Sequence, residues 1–379
     1  MSKSTFLEKL LDGAGAEWVP LQKLVKTLTA AAKIQRGKYE TVGDIPVIDQ
    51  GADFIAGYTD KGNKATELGQ YVIFGDHTEH VKYVDFIFAQ GADGLKILQP
   101  ISSNPKYIYY AFQTFYTKEF QYKRHWSKAK DTEIPIPCPE NPEKSLAIQA
   151  EIVRILDTFT ELTAELTAEL TARTKQYNYY RDQLLTFDLP AGRQVEWTKL
   201  GEIAKIGTGS HDTKDAIDEG DYIFYARGRK PLRLDSYDFD ETAIITAGDG
   251  VGVGKVFHWA EGKYALHQRA YRIVPGDDIE SRYIYHYLIS TFYTYVKKVS
   301  VHASVTSLRK PMFLKLPIPI PPLKEQARIV AILDKFDTLT HSISEGLPRE
   351  IELRQKQYEY YRDLLLNFPK SEPQTEIVA

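Results

Sequence analysis

Two stretches of the chain read as long helices, and the first carries apolar residues at mostly alternating spacings of three and four. In the first they fall at Ile148, Ile152, Ile155, Phe159, Leu162, Leu166 and Leu170, then resume at Tyr177, Tyr180, Leu184 and Phe187. This is the spacing of a helix with one seam for a partner helix. Pro142 and Ser145 supply a start, and Pro190 with Gly192 a stop. About 45 residues at 1.5 Å each predict roughly 65 Å of rod. A second helix is predicted from near Pro322 to about Phe368, interrupted at Gly346-Leu347-Pro348, where proline breaks the hydrogen-bond ladder. Either helix alone would expose its seam to water, so the two are expected to pack together, antiparallel if the halves are related by a twofold.

Outside the helices the period drops to two. Short strand-like runs bounded by glycine and aspartate occur at YVIFG (from Tyr71), YVDFIFA (from Tyr83) and GLKIL (from Gly94), followed by the helical YIYYAFQTFY. A second set comprises YIFYA (from Tyr222), TAIITAG (from Thr242), GKVFHW (from Gly254) and AYRIV (from Ala270), followed by YIYHYLISTFYTYV. Each set predicts an α+β unit.

The two units belong to an internal repeat. EIPIPCPENPEKSLAIQAEIVRILDTFTEL, from Glu133, matches KLPIPIPPLKEQARIVAILDKFDTL, from Lys315, with Gln149, Ile152, Val153, Ile155, Leu156, Asp157 and Phe159 returning as Gln326, Ile329, Val330, Ile332, Leu333, Asp334 and Phe336. That offset is 177 residues, whereas KQYNYYRDQLLTF (Lys175) returns as KQYEYYRDLLLNF (Lys356) at 181. Weaker echoes join EWVPLQKLVK (Glu17) to EWTKLGEIAK (Glu196) and KYIYYAFQTFY (Lys106) to RYIYHYLISTFY (Arg282). FLEKLL at 6–11, before Trp18, resembles YRDQLL at 180–185, before Trp197, so the N-terminus is expected to be a fragment of the helix that ends each half. Similarity between the units is confined to their edges, as expected if a common frame carries loops for different ligands.

Within the first helix, residues 160–173 read TELTAELTAELTAR. A four-residue word is a stutter in the heptad and relaxes the supercoil locally. Each word adds about 6 Å and about 40° of rotation in residues that mostly favour helix. It behaves either as a length unit or as a tolerated replication slip.

Length changes the picture little: 379 residues fit two domains plus connectors. A net charge of −3 argues nothing about a polyanionic partner. Cys138 is the sole thiol, which excludes a disulfide framework and a cysteine zinc site and suits a reducing cytoplasm. The start, MSKSTFLEKLLDG, lacks an apolar signal core, and no run of 18 apolar residues occurs, so neither secretion nor membrane spanning is expected.

Local charge says more. RGRKPLR at 227–233 holds four cations without an acid, and positions 283–323 lack Asp and Glu while carrying Lys297, Lys298, Arg309, Lys310 and Lys315. YKRHWSKAK at 122–130 is similar. Cations interleaved with His, Gln, Ser and Tyr suit phosphate positioning and base-edge hydrogen bonding, and their recurrence at corresponding ends of both units points to nucleic acid. Enzymatic motifs fail. GDGVGVGKV at 248–256 resembles a phosphate loop but has Asp249 where glycine is needed and Val256 where Ser or Thr is needed, so a glycine-rich β-turn is expected. His77 and His80 lack a third metal ligand nearby, and neither H-E-x-x-H, an S-adenosylmethionine glycine loop nor N-P-P-Y or D-P-P-Y occurs.

PIPIPPLKEQARIVAILDKFDTLT with RQKQYEYYRDLLLNF, the degenerate first copy, the two divergent units and the permuted N-terminus together resemble the DNA-specificity subunit of type I restriction-modification systems. IDQGADFIAGYTD, FGDHTEHVKYVDFIFAQGADGLKIL and LHQRAYRIV resemble that family's target-recognition domains. The resemblance covers essentially the whole chain up to Pro369. It implies an α+β fold: two target-recognition domains separated by two long antiparallel helices forming a coiled coil, a pseudo-twofold duplication in circular order. The expected segments are an N-terminal helical fragment (1–16), the first recognition domain (17–140), a helix with the ELTA repeat (141–189), the second recognition domain (190–316), a second helix (317–369) and a flexible tail (370–379). Each domain would read half of a bipartite site in double-stranded DNA from the major groove. Two methyltransferase subunits, carrying S-adenosylmethionine, would dock on the helices, and restriction/translocase subunits would join; this chain would be non-catalytic, cytoplasmic and without cofactor or membrane contact.

The family supplies no invariant base-reading residues, so the candidate contacts rest on loop chemistry. In the first unit they are Lys33, Gln35, Arg36, His77, Thr78, Lys82, Lys123, Arg124, His125 and Lys128. In the second they are Ser210, His211, Arg227, Arg229, Lys230, His267, Gln268, Arg269, His302, Ser304, Thr306, Arg309 and Lys310, with Leu162, Leu166 and Leu170 as spacer positions. If the rod sets the separation of the two readers, each ELTA word is worth roughly two base pairs at most, from its 6 Å against a 3.4 Å step. The aromatic rod ends YNYYRDQLL and YEYYRDLLL are candidate methyltransferase docking surfaces. A coiled-coil protein scaffold without DNA recognition would explain the rod and the tyrosines but not the acid-free basic tracts. A self-contained nuclease or methyltransferase lacks its catalytic groups.

Overall fold

The structure, a computed structural model, describes residues 15–28, 33–62, 65–91, 93–187, 195–299, 307–342 and 344–370. It forms two compact units, one of residues 1–165 with 351–379 and one of residues 166–350. The expected N-terminal helical fragment at 6–11 and the tail beyond Lys370 lie outside the described residues. The main helices are α1 (Pro105–Phe115), α2 (Pro142–Leu185), α3 (Ser281–Val299), α4 (Leu323–His341) and α5 (Gly346–Leu366). None of the described helices is long and apolar enough to cross a membrane.

In the first unit, β2 (Val25–Leu28), β5 (Tyr71–Gly75), β6 (Val81–Val84) and β8 (Leu95–Pro100) form an antiparallel sheet in the order β2-β8-β5-β6. A three-stranded sheet places β3 (Ile45–Ile48) between β4 (Gly57–Thr59) and the parallel β7 (Ala89–Gln90). α1 covers the first sheet with Phe112, whose ring lies 5.5 Å from that of Phe74. The core continues through Ile148, Ile152 and Leu156 of α2 to Leu365 and Leu366 of α5. The end of the last helix thus completes the first unit, and Lys370 lies 4.8 Å over the Trp18 ring.

The second unit repeats this frame. β11 (Ala204–Thr208), β15 (Ala243–Ala247), β16 (Phe257–Ala260) and β18 (Ala270–Pro275) pair in the order β11-β18-β15-β16. β12 (Tyr222–Tyr225), β13 (Leu232–Leu234), β14 (Phe239–Asp240) and β17 (Lys263–Leu266) pair as β13-β12-β17-β14, with β12 parallel to β17. The run from Tyr83 expected as one strand stops at Val84, and GKVFHW begins as a turn. The strands IPVI and KYAL are not among the expected runs, and Pro46 interrupts the first.

Equivalent hydrogen bonds run through both copies of the repeat. Gln149 Oε1 accepts from Asn104 N at the start of α1 (2.8 Å), and Gln326 Oε1 from Glu280 N before α3 (3.0 Å). The Tyr107 hydroxyl donates to Pro135 O (2.5 Å) and Tyr283 to Pro319 O (2.8 Å). Asp157 binds Lys106 and Tyr110, each at 2.7 Å; Asp334 binds Arg282 at 2.9 Å and His286 at 2.7 Å. The edge strands correct the sequence alignment: β1 (Ala16–Pro20) pairs Trp18 with Pro135 of β9 (Glu133–Pro137), and β10 (Glu196–Lys199) pairs Trp197 with Pro319 of β19 (Pro317–Ile320). Pro135 is therefore the equivalent of Pro319, not of Pro317. The period-two PIPIP run aligns with itself at either register, and only the strand partner chooses.

Each unit has helix contacts of its own. In the first, Phe159 of α2 stacks on Tyr361 of α5 (5.1 Å); in the second, Tyr177 and Tyr180 of α2 meet Phe336 of α4 at 6.2 and 5.7 Å. The interruption of the second helix has a cause other than the one expected. Pro348 sits in the first turn of α5, where its missing N–H costs nothing. The chain turns before it, and Gly346 adopts φ +74°, a left-handed conformation that suits glycine.

Candidate nucleic-acid interface

In the first unit four connections converge beside the β3-β7 pairing: residues 49–53 after β3, the 76–80 turn between β5 and β6, residues 93–94 before β8, and 117–125 after α1. Gln50 ties three of them. Its Nε2 donates to Asp93 O (3.1 Å), its Oε1 accepts from His77 N (3.2 Å), and its backbone carbonyl accepts from the Thr78 hydroxyl. The His77 ring stacks on Tyr122 (5.4 Å, 21°) and its Nδ1 reaches Lys123 O at 3.1 Å, fixing the fourth. Tyr122 is 91% exposed, an unshielded ring of the kind that lies against a base or sugar. Lys33 pairs with Asp93, and this bond, with the nearby Arg124 charge, holds the Asp93 carboxyl below its usual range. Gln35, Arg36 and Arg124 are exposed. Lys123 and Lys128 flank Glu119 at 2.9 and 3.2 Å and hold its pKa down to about 2.

Two expected contacts in this unit are interior. Lys82 is buried, and its ammonium donates to Asp49 O (2.8 Å) and Asp53 O (2.6 Å), so it props the Gln50 loop from behind; burial lowers its pKa. His125 has no exposed surface. Its Nε2 lies 2.7 Å from Gln121 O, and its Nδ1 lies 3.3 Å from Glu79 and 3.2 Å from Glu119. Both side chains are committed to the loops and drop out of the exposed set.

In the second unit the same corner carries different chemistry. Ser210 donates to Asp238 (3.0 Å), His211 Nε2 lies 3.3 Å from the same carboxylate, and Gln268 donates to Asp212 (3.0 Å). Arg227 and Arg269 both bind Asp249, at 2.9 and 3.0 Å. Burial alone would raise the Asp249 pKa, but the two guanidiniums outweigh it and hold it low. Arg229 and Lys230 are exposed, and His258 Nε2 reaches Gly228 O (2.9 Å) to brace their loop. An open groove of 430 Å³ lies between this loop and the 248–252 turn. Arg309 and Lys310 are exposed at the start of a single helical turn; their segment is tied to the glycine turn by Leu308 N donating to Gly248 O at 2.7 Å.

His267 is a third correction. It is buried, its ring parallel to that of Phe224 (18°), and its Nδ1 accepts from Arg269 N at 2.9 Å. Burial pushes its pKa down, so the neutral ring acts as a backbone prop. His302, Ser304 and Thr306 lie outside the described residues. The glycine-rich stretch leads into β16 and not into a helix, and Lys255 sits 4.9 Å over the Tyr293 ring, so it has no phosphate-loop geometry. Among the described residues no group of three His, Cys, Asp or Glu side chains could hold a metal. Gln50, Asp93, Tyr122 and Asp249 were missed. Glutamine and tyrosine carry no charge signal, and an aspartate counts against a basic patch until its role between cations is seen.

A family model of the "Type I restriction modification DNA specificity domain" matches residues 17–176 and again 193–353. The chain is 41% identical over 409 aligned residues to the EcoR124I/EcoR124II specificity subunit of Escherichia coli, covering 98% of this chain and 99% of that one. It is 32% identical to a putative type I specificity subunit of Haemophilus influenzae, covering 96% and 98%. A crystal structure of a type I restriction-modification S subunit from M. genitalium superposes with a TM-score of 0.67 at 16% identity, over 95% of this chain and 98% of that one. A chain from a structure of type I system assembly and conformational transition gives 0.53, over 93% and 97%.

Proposed function

The chain belongs to the type I restriction-modification DNA specificity family, and from that premise we propose that each of its two target-recognition units reads one half of a bipartite DNA site for a methyltransferase and restriction complex. One observation carries this reading. The same frame occurs twice, bonded alike at Gln149 and Gln326, while the loops it presents differ: an exposed aromatic with His77 and Gln50 in one unit, paired arginines in the other. Phosphate-facing cations would set orientation, and the differing side chains would set sequence. A protein scaffold without DNA recognition leaves the two DNA-specificity domains unexplained.

The long helices are the spacer and the assembly surface in this proposal, packed as an antiparallel coiled coil in a pseudo-twofold chain. α2 runs from Pro142 to Leu185 through the ELTA words, and Leu162, Leu166 and Leu170 are half-buried along it, so removing a word would shorten the helix without breaking it. Tyr179, Tyr180, Tyr360 and Tyr361 stay exposed and would meet two methyltransferase subunits, which bring S-adenosylmethionine; restriction/translocase subunits would complete the enzyme in the cytoplasm. This chain would supply address and no catalysis.

The test is methylome sequencing of a host carrying this chain with a matching methyltransferase, intact and with one ELTA word deleted. The expected outcome is a bipartite motif whose gap contracts by one or two base pairs while both half-sites persist, from about 6 Å of helix against a 3.4 Å step. Absence of a bipartite motif sinks the reading. An unchanged gap reduces the repeat to a tolerated slip.

A further inference from the structure

The turn between β15 and β16 is built to hold one carboxylate. Gly250 and Gly254 take φ +79° and +67°, and Val251 at the tip is fully exposed. Asp249, beside them, is only 19% exposed at its side chain and binds two arginines from two other connections. Arg227, after β12, donates Nη1 to Oδ1; Arg269, in the β17–β18 turn, donates Nη1 to Oδ2. Neither connection would by itself bring the two guanidiniums together. Each uses Nη1 alone, so each keeps the Nε–Nη2 edge, two parallel donors, on a side chain 41% or 63% exposed. The Arg269 backbone is pinned as well, by the buried His267.

Resting on the reading of this unit as a DNA reader, we infer that Asp249 positions Arg227 and Arg269 as a paired guanine reader, so that the second unit's half-site contains two G·C pairs. Guanine presents O6 and N7 side by side in the major groove, matching the free arginine edge; adenine places a donor where the second acceptor is needed. The carboxylate argues against phosphate as the target. A phosphate drawn to these arginines would lie beside Asp249 and be repelled, whereas a base edge is neutral. Holding both arginines in place also removes part of the side-chain entropy cost of binding.

The experiment is methylome sequencing with the matching methyltransferase for the intact chain, Arg269→Ala, Arg227→Ala and Asp249→Asn. The intact motif is expected to carry two G·C pairs in one half. Arg269→Ala should admit other bases at one of them and Arg227→Ala at the other, discrimination falling about five-fold or more in each case. Asp249→Asn keeps one acceptor oxygen and turns an amide donor on the second arginine, so it should relax at least one of the same positions. The other half-site and the gap should not change. No G·C pair in the affected half, or a uniform loss of methylation in Arg269→Ala without broadening, overturns the inference. Arg269 is exposed, so its replacement still decides the matter if Asp249→Asn fails to fold. Absence of any bipartite motif from the intact chain would instead refute the underlying reading.

Discussion

Glu79 shows what an interior acid in the 76–80 turn does for the candidate interface. It is buried with φ +57°, and its carboxylate accepts from the Tyr116 hydroxyl (2.6 Å), Glu119 N (2.9 Å) and Phe120 N (2.8 Å) beside His125. Burial alone would raise its pKa, but these donors outweigh it and lower the value from 4.5. A carboxylate with a depressed folded-state pKa stabilises the fold above its unfolded value, and that contribution is lost as pH falls through the folded value. Thermal stability should therefore decline below about pH 4.5. Glu79→Gln, which cannot ionise, should melt lower at pH 7 and show a shallower acid decline; equal slopes for both proteins would refute the role. None of this was visible in the sequence, where Glu79 is one of two acids in GDHTEH and His125 a member of a basic run.

Helices and strands were legible to different degrees for a physical reason. The seam of α2 extends over eleven turns or so, enough repeats to fix its period, and its heptad pattern needs only sequence neighbours. The strand IPVI offers two alternations, and its place between β4 and β7 depends on residues far along the chain. The break before α5 falls between His341 and Gly346, just ahead of the expected Gly346-Leu347-Pro348, because Pro348 is a breaker only inside a helix and the sequence does not say which side of the break it occupies. Gly346→Ala tests the replacement cause. A methyl there would run into Thr338 O and approach Leu339 O at 2.8 Å, with the backbone in a region that costs a non-glycine residue about 1–2 kcal/mol. Its urea midpoint should fall accordingly, whereas Pro348→Ala should change it by much less.

For the molecule as a whole, each unit keeps its own core, with Phe74, Ile108 and Phe112 in the first and Ile244, Ile284 and Phe292 in the second. Damage to one reading surface should leave the other intact. His77→Ala, which frees Tyr122 and the Lys123 carbonyl, should broaden one half of the methylation motif while the other half and the gap persist; broadening in both halves would contradict independent readers. The sequence by itself determined the long helices, the duplication, the two α+β units and the family resemblance, because these rest on periodicity and on strings of residues compared in order. The tertiary structure decided which polar residues face outward and how they are grouped. Lys82, His125 and His267 look identical in type to their exposed neighbours, yet they are interior props. Gln50 and Asp249 gain their importance only because connections distant in sequence meet at them. Charge and hydrogen-bonding capacity are properties of a residue, whereas burial and partnership are properties of where the chain brings it.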